Sequence, residues 1–164
     1  MPAYTPILAT LGYVLSPGGR DVLLIHRNTR PDDPAYGKYN GLGGKLERDE
    51  DVADGMRREI REEAGIEATA MTLRGTINWP GFGKNGEDWF GFIFVVTAWT
   101  GTPLAGNHEG TLGWIPVPQL VSGDLDLWPG DKYFLPLVFD MNKPPFHGVM
   151  PYKNGQPERW NVSY

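Results

Sequence analysis

The chain has 164 residues, 40% of them apolar and 21% charged, which suits one self-folding domain and argues against both a two-domain enzyme and wholesale disorder. It contains no cysteine, so disulfides, thiolate nucleophiles, iron–sulfur clusters and cysteine zinc sites are excluded and the chemistry falls to oxygen and nitrogen groups. A net charge of −5 disfavours tight binding to a nucleic-acid polymer, whose affinity comes from Lys and Arg on phosphates, and leaves room for small phosphorylated ligands bridged by a cation.

The first basic residue is Arg20, and no apolar run approaches the ~20 residues of a membrane span, so the expectation is a soluble cytoplasmic protein with no signal peptide and no membrane partner. Residues 7–15 and 21–26 are rich in β-formers and flank Ser16-Pro17-Gly18-Gly19, which predicts an antiparallel hairpin. A polar stretch over 30–40 with Pro31, Pro34 and Gly37 reads as a surface loop leading into Gly41-Leu42-Gly43-Gly44. Residues 51–64 carry apolar groups at helical spacing, acidic residues at the start and Gly65 just past the end, which predicts a helix. Strands are predicted over 71–79, 89–100 and 112–117, a second helix over 132–141 around Pro136, and a hairpin of 149–152 with 158–162 about Asn154-Gly155. Strands, a long helix, more strands, a helix and a hairpin make an α+β fold, a mixed β-sheet between helices in a single domain spanning residues 1–164.

On a helical wheel with Ile60 at zero and roughly 100° per residue, the apolar arc runs from about −80° (Val52) to about +40° (Ala64). Arg57, Arg61 and Arg58 fall on one flank, Glu63, Glu59 and Glu62 on the other, and Glu63 lies inside the apolar arc. A solvated face, with pairs such as Arg58 and Glu62, would account for the charges alone. The separation of sign points further, because mixing the charges would relieve repulsion between carboxylates at i, i+3 and i+4. Gly55, one turn before Glu59 and Glu62, reads as space left for a ligand at a cost in helix stability. Clustered hard oxygens without cysteine or paired histidine suit Mg²⁺, with Mn²⁺ as a substitute.

Gly44, Glu50, Arg58-Glu59, Ile60, Glu62-Glu63, Gly65 and Ile66 resemble, without gap or substitution, the Nudix box: Gly, five residues, Glu, seven residues, Arg-Glu-aliphatic, any, Glu-Glu, any, Gly, aliphatic. The resemblance covers 44–66 and implies a Nudix α/β/α sandwich and Mg²⁺-dependent hydrolysis of a nucleoside diphosphate linked to another group. It implies that Glu59, Glu62 and Glu63 bind metal with the Gly43 carbonyl, that Glu59 or Glu62 also positions the attacking water, and that Arg58 orients a catalytic carboxylate. For Glu50 a role at the helix N-terminus and a catalytic role both stand. Glu109, in Asn107-His108-Glu109-Gly110, is similar to the loop carboxylate that many relatives use as a ligand or general base.

Over most of its length the chain further resembles the oxidised-purine nucleoside triphosphatases of the MutT type. Lys38-Tyr39-Asn40-Gly41-Leu42-Gly43-Gly44-Lys45, Leu127-Trp128-Pro129-Gly130-Asp131 and Phe146-His147-Gly148 are similar to segments that read the base or hold the nucleotide in that group. The resemblance implies that Trp128 stacks on a purine, that Asn40 and Asp131 read its polar edge, and that Lys45 contacts substrate. An indole, an amide and a carboxyl are suited to those tasks. One position departs: Gly130 stands where the family has the first of two adjacent aspartates, so a pair of carboxyls sharing a proton is not available.

Other chemistries fit poorly. Tyr39 and Leu46 break a P-loop, no Gly-x-Ser-x-Gly occurs, and the His residues lack zinc spacing. The expected activity is release of a monophosphate and pyrophosphate from 8-oxo-dGTP or a related oxidised purine nucleotide, in nucleotide-pool sanitation, by a monomer or weak homodimer. Hydrolysis of ADP-ribose, a dinucleoside polyphosphate or an unmodified dNTP stands as an alternative, as does a Nudix-like domain that senses a nucleotide without cleaving it.

Overall fold

The computed structural model describes residues Met1–Tyr164. The predicted N-terminal hairpin forms as β1 (Ile7–Leu15) and β2 (Asp21–His26), turning through Gly18 and Gly19, both at positive φ. Two short strands follow, β3 (Tyr39–Asn40) and β4 (Leu42–Lys45), and then α1 (Val52–Ala64). Asp51 caps α1 by accepting the Asp54 N–H at 2.8 Å, and Gly65 ends it at φ 71° with its N–H on the Arg61 carbonyl. The stop is where the sequence puts it, while the N-cap falls to Asp51, which the sequence reading places inside the helix; each satisfies backbone groups that the helix cannot. Met56, Ile60 and Ala64 are fully buried, and each of the two larger side chains contributes roughly 1.5–3 kcal/mol by leaving water.

Next come β5 (Glu67–Trp79), β6 (Trp89–Thr100), β7 (Gly106–Asn107), β8 (Gly110–Pro116), α2 (Val117–Ser122) and α3 (Asp131–Phe139). The C-terminus adds β9 (Phe146–Val149), β10 (Tyr152–Lys153), β11 (Gln156–Pro157) and β12 (Asn161–Ser163). The main sheet runs β12-β9-β5-β6-β1-β2-β8-β7, with β3 on β2 and β4 on β1. The β1–β6 and β5–β9 pairs are parallel and the others antiparallel. Strand β1 gives one edge to β4 over Ala9–Gly12 and then to β2 from Val14. That divergence frees the glycine-rich β4 to run straight into α1.

One apolar cluster joins α1 to its face of the sheet through Met56, Ile60, Ala64, Leu42 and Val96. The second joins α2 and α3 to the other face through Leu120, Phe134, Leu135, Val138, Ile93 and Phe146. This is the expected α/β/α sandwich. No helix is long and apolar enough to cross a membrane.

Three elements differ from expectation. Strand β5 starts at Glu67 rather than at 71, because pairing with β6, through register shifts at Ala68/Ala70 and Ala70/Met71, overrides weak local preference. Residue 117 ends no strand and instead opens α2, whose Pro118 occupies the first turn, where a missing N–H is harmless. Asn154 and Gly155 do turn a hairpin, both at positive φ, but its strands are β10 and β11; β12 pairs with β9 one tier further out. Arg74, 3% exposed, ends α3 by donating to the carbonyls of Val138, Leu137 and Asp140 at 3.0, 3.4 and 2.7 Å.

Candidate active site

The acidic flank of α1 faces the end of β4. Glu59 is held between the Arg58 guanidinium, at 2.9 Å from its Oε1, and Gly44, where an added Cβ would lie 2.6 Å from the same oxygen. Glu63 turns inward, as the wheel requires, and accepts the Gly43 N–H at 3.2 Å. Burial, with the charges of Glu109 and Glu59 adding to it, pushes the Glu63 carboxyl well above the usual carboxylate range. Glu62 stands at the outer rim with a side chain 57% exposed, touching only Arg58 at 3.3 Å.

Arg58 ties this edge together. Its Nε and Nη2 donate to the two oxygens of Glu50 at 2.9 and 2.6 Å, and Nη2 also reaches the Lys45 carbonyl at 3.1 Å. The hydrogen bond from Arg58, helped by the Glu47 N–H, holds Glu50 at about 2. Glu50 is therefore the anchor of Arg58, and the cap of α1 is Asp51. Gly55 leaves no room for a ligand: a Cβ there would meet Leu46 at 2.4 Å and Glu50 at 3.0 Å. The loop between β4 and α1 folds back over it, so the glycine serves packing, contrary to the sequence reading.

Glu109, on the β7–β8 turn, comes to the same edge. Asn107 bridges the two, donating from Nδ2 to the Glu63 carbonyl at 2.9 Å and accepting the Glu109 N–H at 2.8 Å. Arg27 pairs with Glu109 at 3.1 Å and with Asp33 at 2.6 Å. No three acidic or imidazole side chains converge into a finished ligand cage, because Arg58 and Arg27 draw Glu62 and Glu109 to themselves. The donor set nevertheless suits a hard divalent cation: all its side-chain ligands are carboxylates, and Glu63, pushed toward its neutral form by burial and then by Glu109 and Glu59, lacks a positive partner.

On the other face of the sheet, two of the segments singled out for a base meet; the third, Phe146-His147-Gly148, lies on β9, with Phe146 in the core and His147 on Thr76. Tyr39 N–H donates to the Asp126 carbonyl at 2.8 Å, and the Lys38 ammonium reaches Asp126 Oδ1 at 3.3 Å and the Leu127 carbonyl at 3.4 Å. These contacts tie the start of β3 to the segment of Trp128; Asn40 follows on β3, half-buried and paired with Ile25 of β2. Lys38 lies 5.4 Å from the Trp128 ring centroid, and Phe82 packs on the same indole edge-on at 5.0 Å. Asp131 opens α3, and burial pushes its carboxyl up to about 7 against backbone hydrogen bonding at Trp128 and the charge of Lys38. Lys45 is apart from this group, its ammonium 5.6 Å from the ring of Trp89.

Residues 5–138 match the NUDIX domain family. The chain belongs to the Nudix family. It is 33% identical over 107 residues to the oxidized purine nucleoside triphosphate hydrolase of Mus musculus, covering 65% of this chain and 66% of that one. It is 32% identical over 123 residues to the uncharacterized Nudix hydrolase YvcI of Bacillus subtilis, covering 73% and 75%. The crystal structure of the mutator MutT protein from Bacillus halodurans superimposes with a TM-score of 0.81 at 24% identity, covering 96% of this chain and 97% of that one. The protein is accordingly a Nudix pyrophosphohydrolase, of a family that works with divalent metal ions.

Within this Nudix site the two central glycines have separable duties. A Cβ on Gly43 would lie 1.9 Å from the Thr10 carbonyl, a backbone atom that cannot yield, whereas one on Gly44 meets only the Glu59 carboxylate. Gly43→Ala is expected to open the β1–β4 ladder and lower Tm sharply. Gly44→Ala is expected to keep the fold while turnover falls about tenfold or more, since small displacements of reacting groups are costly. Thermal melts and kcat on the two variants check this; a Gly44→Ala enzyme with full turnover would remove the constraint on Glu59.

The Asp131 carboxyl sets a second expectation. Its folded pKa, about 7, lies above the ordinary value of 3.8, so the native state holds the extra proton and stability falls as pH rises from about 4 to about 7, by roughly 1 kcal/mol per unit. The groups that bear on it are Lys38, Tyr13 and Tyr152. In metal-free buffer, Asp131→Asn is expected to match the wild type near pH 4.5 and to melt higher near pH 8. Parallel Tm curves would contradict this placement of Asp131.

Sequence reasoning passed over Asn107, Arg27 and Phe82. Asn107 stands two residues before Glu109 in the very segment that was singled out, and a side chain able both to donate and to accept is what joining two backbones needs. The other two carried no local signal, because only the sheet brings them to the site.

Proposed function

We propose that this enzyme is a Mg²⁺-dependent nucleoside triphosphate pyrophosphohydrolase that cleaves 8-oxo-dGTP or a related oxidised purine nucleotide to the monophosphate and pyrophosphate. The observation that carries the reading is the meeting of Trp128, Phe82, Lys38 and the desolvated Asp131 on one side of the sheet, with the carboxylate edge on α1. An aromatic wall with a few polar groups of shifted pKa is what orients a heteroaromatic base. The name of the mouse relative supports the same substrate class.

Glu59, Glu62, Glu63 and Glu109, with the Gly43 carbonyl, would hold the cation. Bound there, it would neutralise phosphate charge and lower the pKa of water. The chain's own part is to bring these groups together: Arg58 fixes Glu59 against Gly44, Asn107 fixes the turn of Glu109 against α1, and Lys45 offers charge to the phosphates from the end of β4. Trp128 stacks on the base, and Asn40 with Asp131 hydrogen-bonds its edge. The protein acts on a small nucleotide, as a monomer or weak homodimer, in the cytoplasm.

The test is kcat/KM with Mg²⁺ for 8-oxo-dGTP, dGTP, ADP-ribose and a dinucleoside polyphosphate. The oxidised triphosphate is expected to lead. A higher value for ADP-ribose or the dinucleoside polyphosphate would replace the substrate while leaving the carboxylate edge its role.

A further inference from the structure

Residue 130 is where this chain departs from the sequences it resembles, and the fold shows what fills the space. A Cβ on Gly130 would lie 2.3 Å from Met150 Sδ and 2.4 Å from the Tyr152 hydroxyl oxygen. Tyr152, 7% exposed, arrives from β10, where its N–H donates to the Pro80 carbonyl at 2.7 Å. Its ring meets Phe82 edge-on at 4.9 Å, and Phe82 in turn meets Trp128. The tyrosine thus belongs to the same aromatic wall as the indole. Its hydroxyl accepts the Gly130 N–H at 3.0 Å, its one hydrogen bond within the protein, one residue from the Asp131 carboxyl.

A phenol has one proton to give and lone pairs to receive. With the Gly130 N–H already received, the proton of Tyr152 is the part left for a ligand. We propose that Tyr152 is a specificity-determining residue of this enzyme: its hydroxyl, beside Asp131, donates to a keto oxygen of the purine in the place that a side chain at 130 would otherwise take. This rests on the purine triphosphate reading. A keto purine offers an acceptor oxygen, whereas an amino purine presents N–H groups at the corresponding position. Donor would then face donor, and a buried polar group would lack its partner. The pair therefore favours 6-oxo purines over adenine-type bases.

The test measures kcat/KM for 8-oxo-dGTP, dGTP and dATP on the wild type, on Tyr152→Phe, which keeps the ring, and on Gly130→Ala, which keeps the tyrosine and displaces its hydroxyl. Both variants are expected to lower the keto-to-amino ratio by about tenfold or more, through KM on the keto substrates, with dATP turnover held. A ratio unchanged in both, or an equal loss on all three nucleotides, would mean that Tyr152 only packs; the proposal would fall and the purine reading would stand. If Tyr152→Phe does not fold, Gly130→Ala decides alone. A wild type that cleaves no purine triphosphate, or does not discriminate among the three, overturns the reading and this proposal together, and the wild-type data alone reveal it.

Discussion

Glu62→Gln is expected to lower kcat by about a hundredfold or more while shifting Tm by no more than about 2 °C, the scale on which one exposed ion pair acts. The carboxylate is 57% exposed and its one protein contact is the Arg58 guanidinium, an i, i+4 pair across the helix surface. Such a pair adds only a few tenths of a kcal/mol to the fold. An amide of the same shape keeps the helix and loses the charge with which an oxygen ligand grips a hard cation. Stability and turnover should therefore separate at this residue more cleanly than at Glu59, whose side chain is 14% exposed and wedged between Arg58 and Gly44. Steady-state kinetics over a Mg²⁺ series beside thermal melts would show it. Near-normal turnover for Glu62→Gln at moderate Mg²⁺ would remove Glu62 from the reaction and leave it as a surface charge.

The part of the acidic edge that lies on α1 was legible in the sequence because what makes it is local. Helical spacing fixes which flank Glu59, Glu62 and Glu63 share, Asp51 and Gly65 fix the ends of α1, and Gly43 and Gly44 lie a short loop away. The hairpin of β1 and β2 was legible for the same reason, with two glycines in a short turn between two β-rich runs. What escaped is what the sheet alone assembles. Gly55 looked like ligand space because the return of Leu46 and Glu50 over it depends on where β4 docks. Glu50 kept two readings until Arg58 could be seen spanning to it. Tyr152 lies 22 positions from Gly130, and nothing in either segment tells that a hydroxyl from one fills the gap left by the other. Residues placed by helical period or turn chemistry could be read from their spacing, Glu109, Trp128 and Asp131 came through the resemblance alone, and Phe82 and Tyr152, which strand order places, carried no signal.

Arg58→Lys should be nearly as damaging as the loss of a carboxylate, although the charge is kept. The guanidinium makes five hydrogen bonds in one plane: two to Glu50 and one each to Glu59, Glu62 and the Lys45 carbonyl. A lysine ammonium is a point charge that cannot span these directions at once. If it stays with Glu50, Glu59 loses its restraint; if it moves to Glu59, Glu50 is left without its fork. The first outcome frees a proposed metal ligand and the second unfastens the group that positions it, and misplacement by about 1 Å can cost about a hundredfold in rate. The fold should register the change in acid as well. Glu50 is held at about 2, below its ordinary value of 4.5, so its pairing stabilises the native state above about pH 4.5 and is lost as pH falls toward 2. Arg58→Lys is expected to lower kcat/KM by about that factor, to reduce Tm at neutral pH, and to flatten the fall of Tm between pH 4.5 and 2.5. A lysine variant with wild-type kinetics would show that positive charge alone suffices at 58, and that the fork between Glu50 and Glu59 does not position the carboxylate.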